Sequence, residues 1–99
     1  MNMIYLTFNI SELEEILALL DALDITQYQV FDMVCAHSTG GTPRMDTPVW
    51  PGYNAAIMIQ VDTAMTALII QKITDFNNQT SSPDERITLC SWPVSTFLQ

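Results

Sequence analysis

The stretch MIYLTFNISELEEILALLDAL, residues 3–23, decides the fold. Its first six residues, Met3 to Phe8, carry β-branched and aromatic side chains and are apolar on both faces, as a central strand is. From Leu13 the period changes. Leu13, Ile16, Leu17, Leu20 and Leu23 return at the spacing of a single helix face. Between the two, Ser11-Glu12-Leu13-Glu14 reads as a capping box, a hydroxyl at the helix start answered by a carboxylate three residues on. Glu12, Glu15, Asp21 and Asp24 fall mostly on the wet side, and Glu12, Glu14 and Glu15 suit the positive end of the helix dipole. The stretch is a strand feeding a helix.

The remainder supplies three more strands and one more helix. Tyr28 to His37 alternates, with Tyr28, Val30, Asp32, Val34 and Ala36 on one face and Gln29, Phe31, Met33, Cys35 and His37 on the other. Ala55 to Val61 resumes a strand. Asp62 or Thr63 then caps a helix running through Phe76, with Met65, Leu68, Ile69, Ile73 and Phe76 as its buried stripe. Asn77 to Asp84 is a polar turn, and Arg86 to Trp92 a last strand ended by Pro93. The order βαββαβ predicts an α+β, ferredoxin-like split βαβ fold: a four-stranded antiparallel sheet with two helices on one face. The other face stays bare unless a partner covers it, and both faces of these strands carry apolar side chains, including Phe31, Met33, Met58, Cys90 and Trp92. A patch of that kind is rarely left bare by a soluble monomer, so the pattern calls for an oligomer packed sheet to sheet.

Composition bounds the function. Residues 1–99 suit one domain, and a core of this size is modest enough to gain from oligomer contacts. Charged residues make up 14% of the chain, against about 25% on average, and eleven acids face three bases for a net charge of −8. That balance excludes a nucleic-acid binder, which needs cations to displace counterions, and disfavours docking on anionic lipid. No apolar run approaches the ~20 residues of a membrane span, so no direct insertion is expected. Without a secretory signal or a Cys-x-x-Cys pair, the chain reads as cytoplasmic, with Cys35 and Cys90 as reduced, small buried hydrophobes on strands. Serine-nucleophile, zincin and dinucleotide motifs are absent, and the single histidine, His37, makes no triad, so an enzyme is not expected.

The segment between the second and third strands, residues 38–53, is STGGTPRMDTPVWPGY and holds all three glycines and three of the five prolines. Structureless loops of ~15 residues are usually functional. Gly40-Gly41 permits positive φ and close backbone approach, and the residues before Pro48 and Pro51 are held extended. We expect a loop mobile at its start and stiff at its end, which an effector or partner orders. In it Arg44 would contact an anion, Asp46 would partner Arg44 or the ligand, Trp50 would serve as aromatic anchor, and Asn54 would pin the return into the third strand.

A long loop at this place in this fold resembles the PII-like signalling proteins. The run Gly41-Thr42-Pro43-Arg44-Met45-Asp46-Thr47-Pro48-Val49-Trp50-Pro51-Gly52-Tyr53-Asn54, with Trp92-Pro93-Val94 at the close, is similar to a divergent subfamily of them. The resemblance implies a homotrimer around a threefold axis and small effectors in the inter-subunit clefts. It also implies a loop that regulates a partner, a membrane transporter or efflux system. On that basis the loop residues Gly40, Gly41, Thr42, Pro43, Arg44, Asp46, Trp50, Gly52 and Asn54 are candidate ligand or partner contacts, and His37, Arg86 and Trp92 candidate cleft contacts. The departures are specific. ATP-binding members hold phosphates with several Lys and Arg residues, whereas this chain has only Arg44, Lys72 and Arg86 and no phosphate-cradling Gly-rich motif. Three chains of −8 also repel a polyanion. ATP and 2-oxoglutarate binding in the family's usual mode is therefore not expected, and the effector is unknown. Two rival readings are a copper- or other heavy-metal-responsive trimer using Cys35 and His37 with a third ligand from a neighbouring subunit, and a protein-interaction adaptor needing no small molecule.

Overall fold

The computed structural model describes all 99 residues. In chain order these form β1 (Asn2–Asn9), a 3-10 turn (Ile10–Glu12), α1 (Leu13–Ala22), β2 (Tyr28–Val34), β3 (Asn54–Val61), α2 (Thr63–Asn78), a second 3-10 turn (Pro83–Glu85) and β4 (Thr88–Pro93). The strands make one sheet in the order β2-β3-β1-β4, every neighbouring pair antiparallel. This is the ferredoxin-like arrangement. Ile4 faces Ile59 and Leu6 faces Ile57 across β1 and β3, and these side chains share one core with Ile16 and Leu20 of α1 and Ile69 and Ile73 of α2. Both helices thus cover the same sheet face. Neither is long and apolar enough to cross a membrane.

The opposite face is read off the same register. Gln29, Met58, Tyr5 and Cys90 form one row across the four strands, and Phe31, Ala56, Thr7 and Thr88 the next. Met3, beside Gln60 and Trp92, begins a third. Phe31 and Trp92 remain 45% and 43% exposed there. At the loop end of this face, by contrast, Asn54, Ala56 and Thr7 are buried.

Several local expectations are corrected. Ser11 does not cap α1; Asn9 Oδ1 accepts from the Ser11 N–H at 3.0 Å, and the 3-10 turn intervenes before α1 starts at Leu13 without a side-chain cap. The helix ends in a Schellman motif: Asp24 takes φ +58°, its N–H bonds the Asp21 carbonyl, and Ile25 N–H bonds the Leu20 carbonyl. β2 stops at Val34, not His37. A bulge between Phe31 and Val34 sets Val34 opposite Asn54 on the open face, so it no longer shares a face with Val30, which lies opposite Ile57. β3 begins one residue early, at Asn54, and β4 begins at Thr88, leaving Arg86 outside the strand. Asp62 caps α2 through the Met65 N–H at 2.7 Å, and the helix runs on to Asn78. Leu68 lies off the buried stripe at 40% exposure, about 100° round the helix from Ile69. Cys35 and Cys90 are exposed thiols, one beyond the end of β2 and the other on the open face.

The stripe is tested by two truncations. Ile69→Ala should cost about 2–5 kcal/mol in urea unfolding because it empties a fully buried site, whereas Leu68→Ala should cost under about 1 kcal/mol.

Candidate functional site

The long loop is tied by hydrogen bonds along its length. Ala36 and Arg44 exchange both backbone hydrogen bonds, at 2.9 and 2.8 Å, which closes the first half of the loop. Within it, Gly41 N–H bonds the Ser38 carbonyl at 3.0 Å, and Gly40 at φ +75° holds the third position of that turn, where a type II turn requires positive φ. Gly41 is small for another reason. A Cβ there would stand 3.2 Å from Asp84 Oδ1. The close approach lets Asp84 take both groups of Thr42, the N–H on Oδ1 at 2.5 Å and the hydroxyl on Oδ2 at 3.1 Å. The Thr42 N–H, then its hydroxyl and the nearby Arg44 charge hold the Asp84 carboxyl below its ordinary 3.8.

Arg44 is turned inward. Its Nη1 donates to Asn54 Oδ1 at 2.9 Å and its Nη2 to the Asp84 carbonyl. Asn54, almost fully buried, passes the contact on through Nδ2 to Thr7 Oγ1 at 3.1 Å, and Thr7 donates to the Ala55 carbonyl. The side chain expected to reach for an anion is the strut between the loop, β3 and the second 3-10 turn. Pro43, which lacks an N–H, separates the Thr42 and Arg44 anchors.

Beyond Arg44 the chain makes a second, smaller turn. Met45 and Thr47 N–H both bond the Trp50 carbonyl, Trp50 N–H bonds Thr47 Oγ1, and Asp46 N–H bonds the Gly52 carbonyl. Asp46 and Gly52 adopt φ +54° and +82°. Asp46 therefore serves the turn with its backbone, and its side chain is not among the partners of Arg44. The turn presents an apolar tip, with Val49 74% and Trp50 43% exposed.

Behind the loop base lies a cleft of about 460 Å³ whose lining includes His37, Ser38, Thr39, Arg86 and Thr88. Asn77 braces its floor, accepting from the Ile87 N–H at 2.8 Å and donating to the Ile87 carbonyl at 2.9 Å. His37 and Arg86 thus line the same cleft. Trp92 does not join them, since it sits opposite Met3 at the far end of β4. Cys35 and His37 are both exposed, and the chain brings no three His, Cys, Asp or Glu groups together around a metal position.

Two carboxylates were not foreseen as site residues. Asp84 is 42 residues from Thr42, and no local pattern links them. Glu12, assigned to the wet side, is half-buried, with Oε2 enclosed and no donor to it in the chain. Burial pushes its carboxyl up to about 7, against the pull of Arg44, while Glu15 and Glu85 push it further. A signal existed in the spacing, because Glu12, Ile16 and Leu20 stand at four-residue intervals on the face whose other two members are buried.

Removing the strut should therefore destabilise the fold. Arg44→Ala leaves Asn54 Oδ1 unpaired and is expected to cost about 1–3 kcal/mol in denaturant unfolding, while Arg86→Ala stays within about 0.5 kcal/mol. Glu12 acts with a definite pH sign. Its raised value favours the folded state below the ordinary 4.5, and that advantage is lost as the pH rises through about 7. The Tm of the wild type should fall over this window, and Glu12→Gln should remove that component.

No family model matches the chain, and neither does any curated protein. Among solved structures it resembles one from Thermus thermophilus described as a PII-like signalling protein, with a TM-score of 0.62 and 12% identity, over 92% of this chain and 83% of that one. At that identity the likeness is one of fold. A split βαβ sheet with both helices on one face, carrying a long, tethered loop between β2 and β3, has the PII-like fold.

Proposed function

We propose that the chain is a PII-like regulatory protein that acts by binding rather than catalysis. It assembles as a homotrimer through the open sheet face, takes a small effector in the cleft behind the loop base, and passes its state to a partner through the loop. One observation carries this reading. The second 3-10 turn and Arg86 just after it contribute Pro83 and Arg86 to the cleft and Asp84 to the tether of the loop, so an occupant of the cleft touches the segment that holds the loop. Gly40, Gly41, Thr42, Pro43, Arg44 and Asn54 set the loop's shape, and Asp46 and Gly52 shape the tip from which Val49 and Trp50 engage the partner. A membrane transport system is the kind of partner the family resemblance suggests.

The cleft's chemistry narrows the effector. One guanidinium, one imidazole and several hydroxyls suit a singly anionic or neutral polar molecule, and a chain of −8 repels a triphosphate. On the open face, Phe31, Met58 and Trp92 suit a second and third copy of this chain.

Native mass spectrometry should give a species of three chains of 11.1 kDa each. Phe31→Glu should reduce it to monomer without unfolding, because an unpaired carboxylate in a sheet-to-sheet contact costs several kcal/mol. A wild-type monomer at all concentrations overturns the trimer. Calorimetry against monocarboxylates and monophosphates should show binding that His37→Ala and Arg86→Ala weaken together, with ATP weaker than either. Tight ATP binding at physiological salt overturns the choice of effector.

A further inference from the structure

The segment after β4 returns across the sheet. Val94 N–H bonds the Met1 carbonyl at 3.0 Å, and residues 95–99 make no backbone hydrogen bond beyond it. Phe97 and Gln99 nonetheless line one cleft of about 380 Å³ together with Met3 of β1, Met58 and Gln60 of β3 and Gln29 of β2. Those four sheet residues lie on the face that the helices leave uncovered. β4 stands at one edge of the sheet and β2 at the other, three strand spacings or about 14 Å away. Six extended residues reach roughly 20 Å, so residues 94–99 are long enough to cross it. Met3, Met58 and Gln60 are half-buried in this cleft, whereas Phe31 and Trp92, outside it, stay exposed.

We infer that Ser95–Gln99 is a reversible cover of the open sheet face, seated in the Met3–Met58 cleft by Phe97 and displaced when a second copy of this chain packs there. Its hold is shallow. Phe97 is 45% and Leu98 89% exposed, and none of the five residues belongs to the hydrophobic core. Ordering them costs backbone entropy with no backbone hydrogen bond in return. The cleft carries no charged side chain, so the seat is made of apolar contact and neutral carboxamides. A second copy brings the same chemistry on a broader surface, with Phe31, Cys90 and Trp92 beside Met58. Segment and second copy therefore compete for one ground. The competition rests on the sheet-to-sheet assembly proposed above, whereas the seating of the segment on its own sheet does not. Each copy must free its face before packing, so the apparent affinity of assembly is reduced in proportion to the fraction of faces that are free.

Two measurements test this on the whole chain and on a chain ending at Val94, which keeps the Met1 contact and loses no core residue. Methyl NMR of the methionines reads the cover in the monomer, isolated by dilution or, where assembly is tight, by Phe31→Glu. The Met3 and Met58 methyl signals should carry a ring-current shift from Phe97 that truncation removes and Phe97→Ala removes equally, while Met45 in the loop stays unmoved. Sedimentation over a concentration series reads the competition. The truncated chain should assemble at a several-fold lower concentration than the whole chain. Met3 and Met58 signals that ignore the truncation overturn the cover. Assembly left unchanged by truncation overturns the competition, and so does weaker assembly, which would make the segment part of the interface. A chain monomeric with and without the segment, its methyl signals moved, overturns the trimer and upholds the cover.

Discussion

The antiparallel pairing of β1 with β3 is the constraint on which the rest of the molecule depends. Their register places Ile4, Leu6 and Phe8 beside Ile59, Ile57 and Ala55 on one face, all essentially without solvent exposure. Each large side chain among them contributes about 1.5–3 kcal/mol by leaving water, and together they make the floor on which α1 and α2 lie. A slip of one residue would exchange this row for Met3, Tyr5, Thr7, Met58 and Gln60 and put polar and amphipathic groups under the helices. The same register that builds the core also leaves Phe31, Met58, Cys90 and Trp92 on the uncovered face.

The bulge in β2 connects this sheet to the loop. By inserting one residue it turns Val34 towards the open face opposite Asn54, and the chain then leaves the sheet to return at Asn54 itself. The return is held by polar contacts rather than apolar ones: Thr42 on Asp84, Arg44 on Asn54 and the Asp84 carbonyl, Asn54 on Thr7. Such a joint resists distortion through direction, since each donor has one acceptor in line, and it responds to charge, which an apolar joint does not.

Charge is scarce and unevenly placed. Two of the three cations are Arg44 in the loop and Arg86, which follows the turn that anchors it, while Glu12 and Asp84 lie within reach of the Arg44 charge and Glu85 within reach of Glu12. The loop base therefore gathers charges of both signs on the hydrogen bonds that hold the loop, and a change of protonation or a bound anion there acts on those bonds directly. Elsewhere the acidic surface discourages polyanions.

Local pattern determined the kind and order of the strands and the two α-helices. Period-two runs, the 3.6-residue stripes of α1 and α2, and the glycines and prolines between Ser38 and Tyr53 report short-range backbone preferences. Those are set by neighbours in the chain. The βαββαβ order then leaves few topologies, and the one adopted follows from right-handed crossovers. Only the tertiary structure decided where Arg44 points, because its partners at Asn54 and Asp84 are 10 and 40 residues away and are assembled by the sheet. The Phe31–Val34 bulge, the exposure of Leu68 and the thiols, and the latch of Asp84 on Thr42 belong to the same class. Glu12 stands between the two. Its four-residue spacing to Ile16 and Leu20 was written in the chain, but the influence of the Arg44 charge on it depends on a loop that follows only after α1 and β2. Backbone preference is local and legible, whereas burial and electrostatic partnership are properties of the assembled fold.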